Sequence, residues 1–77
     1  EPLGFAVPAG FVWNRPGKRR EYLRARLERG RVLPYANQSS GVLRSAAWAE
    51  GLAEVMEGST LAEGDMLRFI PLSEILG

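Results

Sequence analysis

Residues Arg20–Leu27 have the sequence REYLRARL, and their conformation separates a helical from a β-rich interpretation of the chain. Arg, Glu, Leu and Ala are strong helix formers, so composition alone favours a helix in this segment. The same residues alternate in polarity, which places Leu23, Ala25 and Leu27 on one face of an extended chain. Composition therefore predicts a helix, while the alternation is also typical of a half-buried strand.

Outside this segment, glycine and proline divide the chain into short pieces, a pattern that favours strands and turns over long helices. Pro34 is expected at a sheet edge or a bulge, because proline cannot donate a hydrogen bond to a neighbouring strand. The Gly64-Asp65 pair predicts a turn, and Asp65 is interpreted as a turn residue rather than a Mg²⁺ ligand. Three further extended segments are predicted: Arg31–Ala36, Leu52–Met56 and Met66–Leu72.

One short helix is predicted over Ser40–Ala49. Ser39 or Ser40 is a suitable N-cap, because a hydroxyl oxygen accepts hydrogen bonds from the free backbone N–H groups of the first turn. Gly51 is expected to end this helix in the left-handed conformation that glycine adopts readily.

The side chains that usually carry acid–base, nucleophilic or metal chemistry are scarce. The 77 residues include no Cys, no His and a single Asp, Asp65. This composition excludes disulfides, Cys-based zinc sites and every Ser-His or Cys-His triad. We therefore expect no catalytic residue and no metal ligand in this chain.

Charge is unevenly distributed along a chain whose net charge is only +1. Seven of the ten basic residues lie between Arg15 and Arg29, which predicts one positive surface rather than a positive protein. Tyr22 is the one aromatic residue within this basic run, so a nucleic-acid-binding barrel is the weakest hypothesis. No run of about 18 apolar residues is present, so no membrane segment is expected. The absence of cysteine is compatible with the cytoplasm.

Three blocks of the sequence stand out: Arg20–Leu27, Asn37–Ser45, and Trp48–Phe69 with its glycine-bounded strands. In their order and spacing they resemble the last domain of the MoeA/gephyrin family of molybdopterin molybdenumtransferases. Glu50, Met56 and Ser39 depart from residues that are common in the family, and none of them removes a polar group assigned to function.

The resemblance implies an all-β fold: a bent, β-clip-like ribbon forming an incomplete barrel of about five or six short strands, with one short helix near residues 41–49. It makes Arg20–Leu27 a strand, with Leu23, Ala25 and Leu27 in the core and Arg24 on a polar face. It also implies that residues 1–77 are a single domain, with residues 1–5 linker-like, at the C-terminus of a longer multidomain protein.

The resemblance further implies a role in inserting molybdenum from molybdate into adenylyl-molybdopterin, with Mg²⁺ as cofactor of the full-length enzyme. That enzyme is expected to be a cytoplasmic homodimer in which this domain contacts the upstream domains. The domain alone is expected to be inactive and to bind no cofactor. Its contribution would be anion contacts from Arg24, Gln38, Ser39 and Ser40, because guanidinium groups and helix N-termini bind oxyanions.

Other interpretations of these residues stay open. Ser40 can serve as an N-cap alone, Gln38 can hydrogen-bond loop backbone groups, and Arg24 can be a solvated surface charge. Trp13, Tyr35 and Trp48 are expected in core or interdomain packing rather than as base-stacking platforms. An alternative function is a protein-interaction module that binds peptides, as in gephyrin-like scaffolds; it predicts an exposed apolar groove.

Overall fold

The computed structural model describes residues 3–35 and 48–77. The predicted helix near residues 41–49 lies almost entirely outside these ranges, as do the predicted site residues Gln38, Ser39 and Ser40. Five strands and one short helix are found among the described residues: β1 (Phe5–Pro8), β2 (Glu21–Glu28), β3 (Arg31–Pro34), β4 (Gly51–Val55), β5 (Met66–Pro71) and α1 (Leu72–Leu76).

Strand β2 resolves the ambiguity of the Arg20–Leu27 segment in favour of the extended conformation. Leu23 and Ala25 are buried, with 5% and 0% of their surface exposed, and Leu27 packs against the same core. Arg24 and Arg26 lie half-buried on the opposite face. The prediction of a strand with these faces is confirmed, because burial of an alternating apolar face outweighs the helix propensity of the individual residues.

The strands form one antiparallel sheet with the order β1-β5-β4-β2-β3. Its two edge strands approach each other where Ala9 forms a parallel bridge with Val32 and the Gly10 N–H donates to the Val32 carbonyl at 2.8 Å. The sheet is thus curled into a half-barrel, as predicted. Pro34 lies in the edge strand β3, where its missing N–H leaves no interior hydrogen bond unmade.

The core lies inside this curl and is made of the inward-facing residues of all five strands. Val32 is fully buried, and Phe69 is 2% exposed. Four partly buried residues pack against the core at its margin: Phe11, Trp13, Leu27 and Leu61. The buried members are Val7, Ala9, Leu23, Ala25, Val32, Ala53, Val55, Leu67 and Phe69.

Gly51 does not end a helix in the left-handed conformation, so that prediction was wrong. It is the first residue of β4, and its φ angle is not positive. It is buried, and a Cβ atom there would collide with the Ile70 carbonyl oxygen and lie 2.7 Å from Phe69 Cζ. Close approach of two strands, rather than backbone conformation, is what requires glycine at this position.

Two turns between strands contain residues in the left-handed backbone conformation. Glu28 and Arg31 are paired across a two-residue loop in which Arg29 has φ 53° and Gly30 has φ 78°. Positive φ at both positions is the signature of a type I′ hairpin turn. The predicted Gly64-Asp65 turn is confirmed: Gly64 has φ 93°, and Asp65 Oδ2 accepts a hydrogen bond from the Ala62 N–H at 2.8 Å.

The chain after β5 differs from the prediction, which extended the strand to Leu72. The strand ends at Pro71, and Leu72–Leu76 forms α1. Pro71 has φ −61° and precedes the first helical residue, while the Leu72 N–H donates to the Glu50 carbonyl at 2.9 Å. Within residues 3–35 and 48–77, no helix is long and apolar enough to cross a membrane.

Candidate functional site

The outward-facing side chains of β2, β4 and β5 form a continuous surface, which we call the outer face. Antiparallel pairing aligns Tyr22 with Glu54 and Glu54 with Arg68 in one row. In the next row, Arg24 is aligned with Leu52 and Leu52 with Ile70. The row of Tyr22, Glu54 and Arg68 is therefore adjacent to a row in which two apolar residues follow an arginine.

Arg24, the first predicted anion contact, lies on β2 close to Tyr35 and Glu50, the described residues that flank residues 36–47 in the sequence. The Tyr35 N–H donates to the Arg24 carbonyl at 2.7 Å, and the Glu50 N–H donates to the Ala25 carbonyl at 2.8 Å. Tyr35 and Glu50 are thus attached to consecutive residues of β2. Gln38, Ser39 and Ser40 belong to that segment and lie outside the described residues, so their roles remain predictions.

A second cluster surrounds Arg26 at the same end of β2. The Arg26 guanidinium carbon lies 5.4 Å from the centre of the Trp48 ring, within the range of a cation–π contact. Tyr35 meets Trp48 edge-on with ring centres 5.4 Å apart. Glu50 lies 3.5 Å from Arg26 Nη2 and accepts the Leu27 N–H at 2.9 Å. The two aromatic residues expected in packing thus pack on each other and on an arginine.

Glu54 is the centre of a hydrogen-bonded cluster that the sequence did not predict. Its side chain is 10% exposed, and Arg68 binds both of its oxygens, with Nε–Oε1 at 3.1 Å and Nη2–Oε2 at 2.8 Å. The Tyr22 hydroxyl donates to Oε2 at 3.2 Å, and Arg20 Nη1 lies 3.4 Å from the same oxygen. No sequence motif joins these residues; they meet because of strand register.

The charges in this cluster shift one another's proton affinities. The hydrogen bonds from Arg68, reinforced by its charge, lower the pKa of Glu54, and burial opposes the shift without reversing it. The same hydrogen bonds raise the pKa of Arg68. The pKa of Arg20 is raised mainly by its hydrogen bond with the Tyr22 hydroxyl. The cluster is therefore charged throughout the physiological pH range.

An apolar groove on the outer face is lined by residues of β2, β4, β5 and α1. Its volume is about 350 Å³. Leu52, the cross-strand neighbour of Arg24, is part of its lining, as is the exposed ring of Tyr22. The full lining consists of Leu3, Tyr22, Leu52, Arg68, Ile70 and Ile75.

The described start of the chain is attached to the edge of this groove. Arg68 Nη1 donates to the Leu3 carbonyl at 3.0 Å, and the Gly4 N–H donates to Glu74 Oε1 at 2.8 Å. Leu3 and Gly4 fall in the interval predicted to be linker-like. These contacts hold Leu3, which lines one side of the groove, against β5, and they hold Gly4 against α1.

The described residues do not provide a magnesium site. No group of three or more carboxylate, histidine or cysteine side chains is placed to hold a metal ion in this part of the chain. Mg²⁺ requires several oxygen ligands. The oxygens of Glu54 already accept hydrogen bonds from Arg68 and Tyr22, and Asp65 is engaged in its own turn.

The family model of the MoeA C-terminal region, domain IV, matches residues 6–72. The chain belongs to this family. The MoeA C-terminal domain belongs to a family of molybdopterin biosynthesis enzymes. Membership therefore implies that this chain is involved in molybdenum cofactor biosynthesis. The matched range includes strands β2 to β5, all of β1 except Phe5, and the segment that carries Gln38, Ser39 and Ser40. No curated protein and no solved structure matches the chain.

Proposed function

We propose that this domain helps form the cleft in which molybdate is inserted into adenylyl-molybdopterin, and that it supplies anion contacts from Arg24, Gln38, Ser39 and Ser40. In this proposal the domain is the C-terminal part of a cytoplasmic, homodimeric molybdenumtransferase. Mg²⁺ and the residues that perform acid–base chemistry belong to its other domains. The domain alone is inactive.

The arrangement of the chain around Arg24 carries this proposal. Tyr35 and Glu50, which flank residues 36–47 in the sequence, are hydrogen-bonded to the backbone of Arg24 and Ala25. Gln38, Ser39 and Ser40 lie between these two attachment points in the sequence, and the attachment points adjoin an arginine on an interior strand of the sheet. Sites held on strands are positioned more precisely than sites held on loops alone.

The chemistry of the substrates agrees with this arrangement. Molybdate and the phosphates of adenylyl-molybdopterin carry negative oxygens, and a planar guanidinium group binds such oxygens through paired hydrogen bonds. Serine hydroxyls and backbone N–H groups add donors without requiring a proton to be transferred. The domain can thus help bind and orient an oxyanion with no general base of its own.

The proposal is tested in the full natural chain that carries this domain. Arg24→Ala and Ser40→Ala are compared with wild type in molybdate binding by calorimetry and in molybdenum insertion into adenylyl-molybdopterin. Loss of a charge-assisted hydrogen bond is expected to weaken binding about tenfold for Arg24→Ala. A smaller effect is expected for Ser40→Ala.

Arg19→Ala is the matched control, because Arg19 is an exposed arginine in the loop that precedes β2. This variant should bind molybdate and turn over as wild type does. Unchanged affinity and unchanged insertion in both test variants would exclude the site assignment. An equal loss in Arg19→Ala would show that general positive charge, rather than a built site, attracts the anion.

A further inference from the structure

We infer that the loop preceding β2 is a docking surface for a short acidic segment of a partner polypeptide. This loop, Asn14–Arg20, has the sequence NRPGKRR and is called the basic loop. Its cations Arg15, Lys18 and Arg19 bind carboxylates of the partner, while the exposed side chain of Met56 contacts an apolar residue among them. The inference goes beyond the proposed function, because none of these residues belongs to the proposed anion site.

Three cations of the basic loop are exposed and have no carboxylate partner. Among residues 3–35 and 48–77, no ion pair and no side-chain hydrogen bond engages Arg15, Lys18 or Arg19. Four other arginines each have a carboxylate oxygen at a distance between 2.8 and 3.8 Å: Arg20, Arg26, Arg31 and Arg68. The positive charge of the three loop cations is therefore available to a ligand from outside the domain.

Backbone hydrogen bonds hold the basic loop in place before, within and after its sequence. Trp13, directly before the loop, donates its N–H to the Leu61 carbonyl at 2.9 Å and accepts the Leu61 N–H at 2.8 Å. Within the loop, the Gly17 carbonyl accepts the Gly58 N–H at 2.8 Å. Directly after it, Glu21 begins the paired strand β2. A loop held in this way loses less conformational entropy on binding a ligand than an unattached loop does.

Met56 places an exposed apolar side chain beside the basic loop. Glu21 is paired with Val55, so Met56 lies next to the point at which the loop enters β2. Gly58, two residues after Met56, is the residue that donates to the Gly17 carbonyl. Met56 is 45% exposed, and a methionine side chain is flexible enough to pack on ligands of varied shape. The surface therefore offers an apolar contact next to positive charge.

Two carboxylates at the margin of the basic loop favour a short acidic segment over an extended polyanion. A Cβ atom at Gly17 would lie 3.4 Å from Glu21 Oε2, and Glu57 directly precedes Gly58, which is bonded to the loop. A nucleic acid or an anionic membrane carries negative charge over a wide area and would meet both carboxylates. A net charge of +1 gives such a polyanion little attraction at long range. The loop also has no aromatic residue on which a nucleobase could stack.

The test is a titration of the ¹⁵N-labelled 77-residue chain, followed by amide chemical shifts. The probe is a capped peptide of glutamates with one central leucine. The same peptide with glutamine in place of every glutamate has the same size and lacks the charge. We expect only the glutamate peptide to bind and to shift the amides of Asn14–Arg20 and Met56. Its affinity should fall as the salt concentration rises, because salt screens exposed charges.

Variants separate the basic loop from general attraction. Lys18→Glu should weaken peptide binding about fivefold, and Lys18→Glu combined with Arg15→Glu more than about tenfold. Lys18→Arg keeps the charge and should retain the affinity. Met56→Ser should weaken binding about threefold through lost apolar contact. Circular dichroism spectra check that each variant is folded.

Arg29→Glu is the matched control for Lys18→Glu, because it reverses one exposed charge. Arg29 has no ion pair among the described residues and lies in the turn at the opposite end of β2 from the basic loop. An eight-residue strand spans about 25 Å, which exceeds the screening length of roughly 10 Å in ordinary buffers. The control should therefore bind the glutamate peptide as wild type does.

Several outcomes would overturn the inference: no binding of the glutamate peptide, equal binding of the glutamine peptide, equal weakening by Arg29→Glu, or shifts that map away from the basic loop. Tighter binding of single-stranded oligothymidylate or of phosphatidylserine vesicles would also overturn it, and would assign the loop to a nucleic acid or a membrane. Its failure is distinguishable from failure of the proposed function. If the peptide does not bind while Arg24→Ala weakens molybdate binding in the full chain, only the docking surface is wrong.

Discussion

At the scale of single residues, Gly51 shows how closely β4 and β5 approach. The position is buried, and any side chain there points at the Ile70 carbonyl and the Phe69 ring. Neither neighbour can move easily, because Ile70 belongs to the paired backbone and Phe69 to the core. The glycine therefore fixes the spacing of two strands that carry Leu52 and Ile70 on the outer face.

Gly51→Ala is accordingly expected to destabilise the domain by about 1–3 kcal/mol, the usual cost of overpacking a filled core. For a chain of this size, each 1 kcal/mol lowers the melting temperature by roughly 4–8 °C. Thermal unfolding followed by circular dichroism measures the change. Gly17→Ala is the control, since its nearest neighbour would be the flexible Glu21 carboxylate at 3.4 Å. A wild-type melting temperature for Gly51→Ala would contradict the packing argument.

At the scale of secondary-structure elements, the β2–β3 hairpin has an unusual residue at its turn. Arg29 occupies a left-handed position with φ 53°, next to Gly30 with φ 78°. Type I′ turns strongly favour Asn-Gly, because asparagine tolerates positive φ better than other side chains. The turn is therefore formed at a local cost, which the paired strands and the burial of Val32 offset.

Arg29→Asn is expected to stabilise the domain by about 0.5–1 kcal/mol by relieving this cost. Urea unfolding of the variant should show a higher midpoint with an unchanged slope. Arg19→Asn removes the same charge from an exposed loop position without a positive φ and should leave the midpoint within experimental error. Equal midpoints for Arg29→Asn and wild type would show that the turn is unstrained.

At the scale of the whole molecule, the Glu54 cluster joins parts of the chain that are far apart in sequence. Glu54 on β4 is bound by Tyr22 on β2 and Arg68 on β5, and Arg68 also holds the carbonyl of Leu3. Folding brings these groups together, so their mutual electrostatic stabilisation exists only in the native state. The stability of the entire domain is thereby linked to the protonation of one carboxylate.

The sign of this linkage follows from the lowered pKa of Glu54 in the folded protein. Its contribution is fully present above the unfolded value of about 4.3 and is lost as the pH falls through the lower, folded value. Glu54→Gln should therefore lower stability by about 1 kcal/mol at pH 7, allowing for solvent screening of the partly exposed arginines. The difference from wild type should shrink as the pH falls below about 4.

Urea unfolding at a series of pH values measures this difference. Glu63→Gln is the control, because Glu63 is exposed and lies 3.8 Å from Arg31. It should have little effect at any pH. A Glu54→Gln deficit that stays constant between pH 7 and pH 3 would indicate lost packing rather than lost charge.

The alternating Arg20–Leu27 segment was assigned to a strand once its resemblance to the family was taken into account, and its buried face was predicted correctly. The edge position of Pro34 and the Gly64-Asp65 turn were also predictable, because both depend on local backbone chemistry. Strand β1 and helix α1 were not predicted. Phe5–Pro8 has a proline at its end, and α1 has five residues and buries none of them. Such short elements form through contacts with β5 and Glu50 rather than through a pattern of their own.

The sequence by itself determined the β-rich class, the family, and the lack of histidine and cysteine chemistry, because these depend on residue types and on their spacing along the chain. Only the tertiary structure decided which charges meet. Tyr22 and Glu54 are 32 residues apart, and Glu54 and Arg68 are 14 apart. Strand register aligns them, and it also places Leu52 between Arg24 and Ile70. Register is a property of paired strands, so neither the Glu54 cluster nor the groove can be inferred from any single segment.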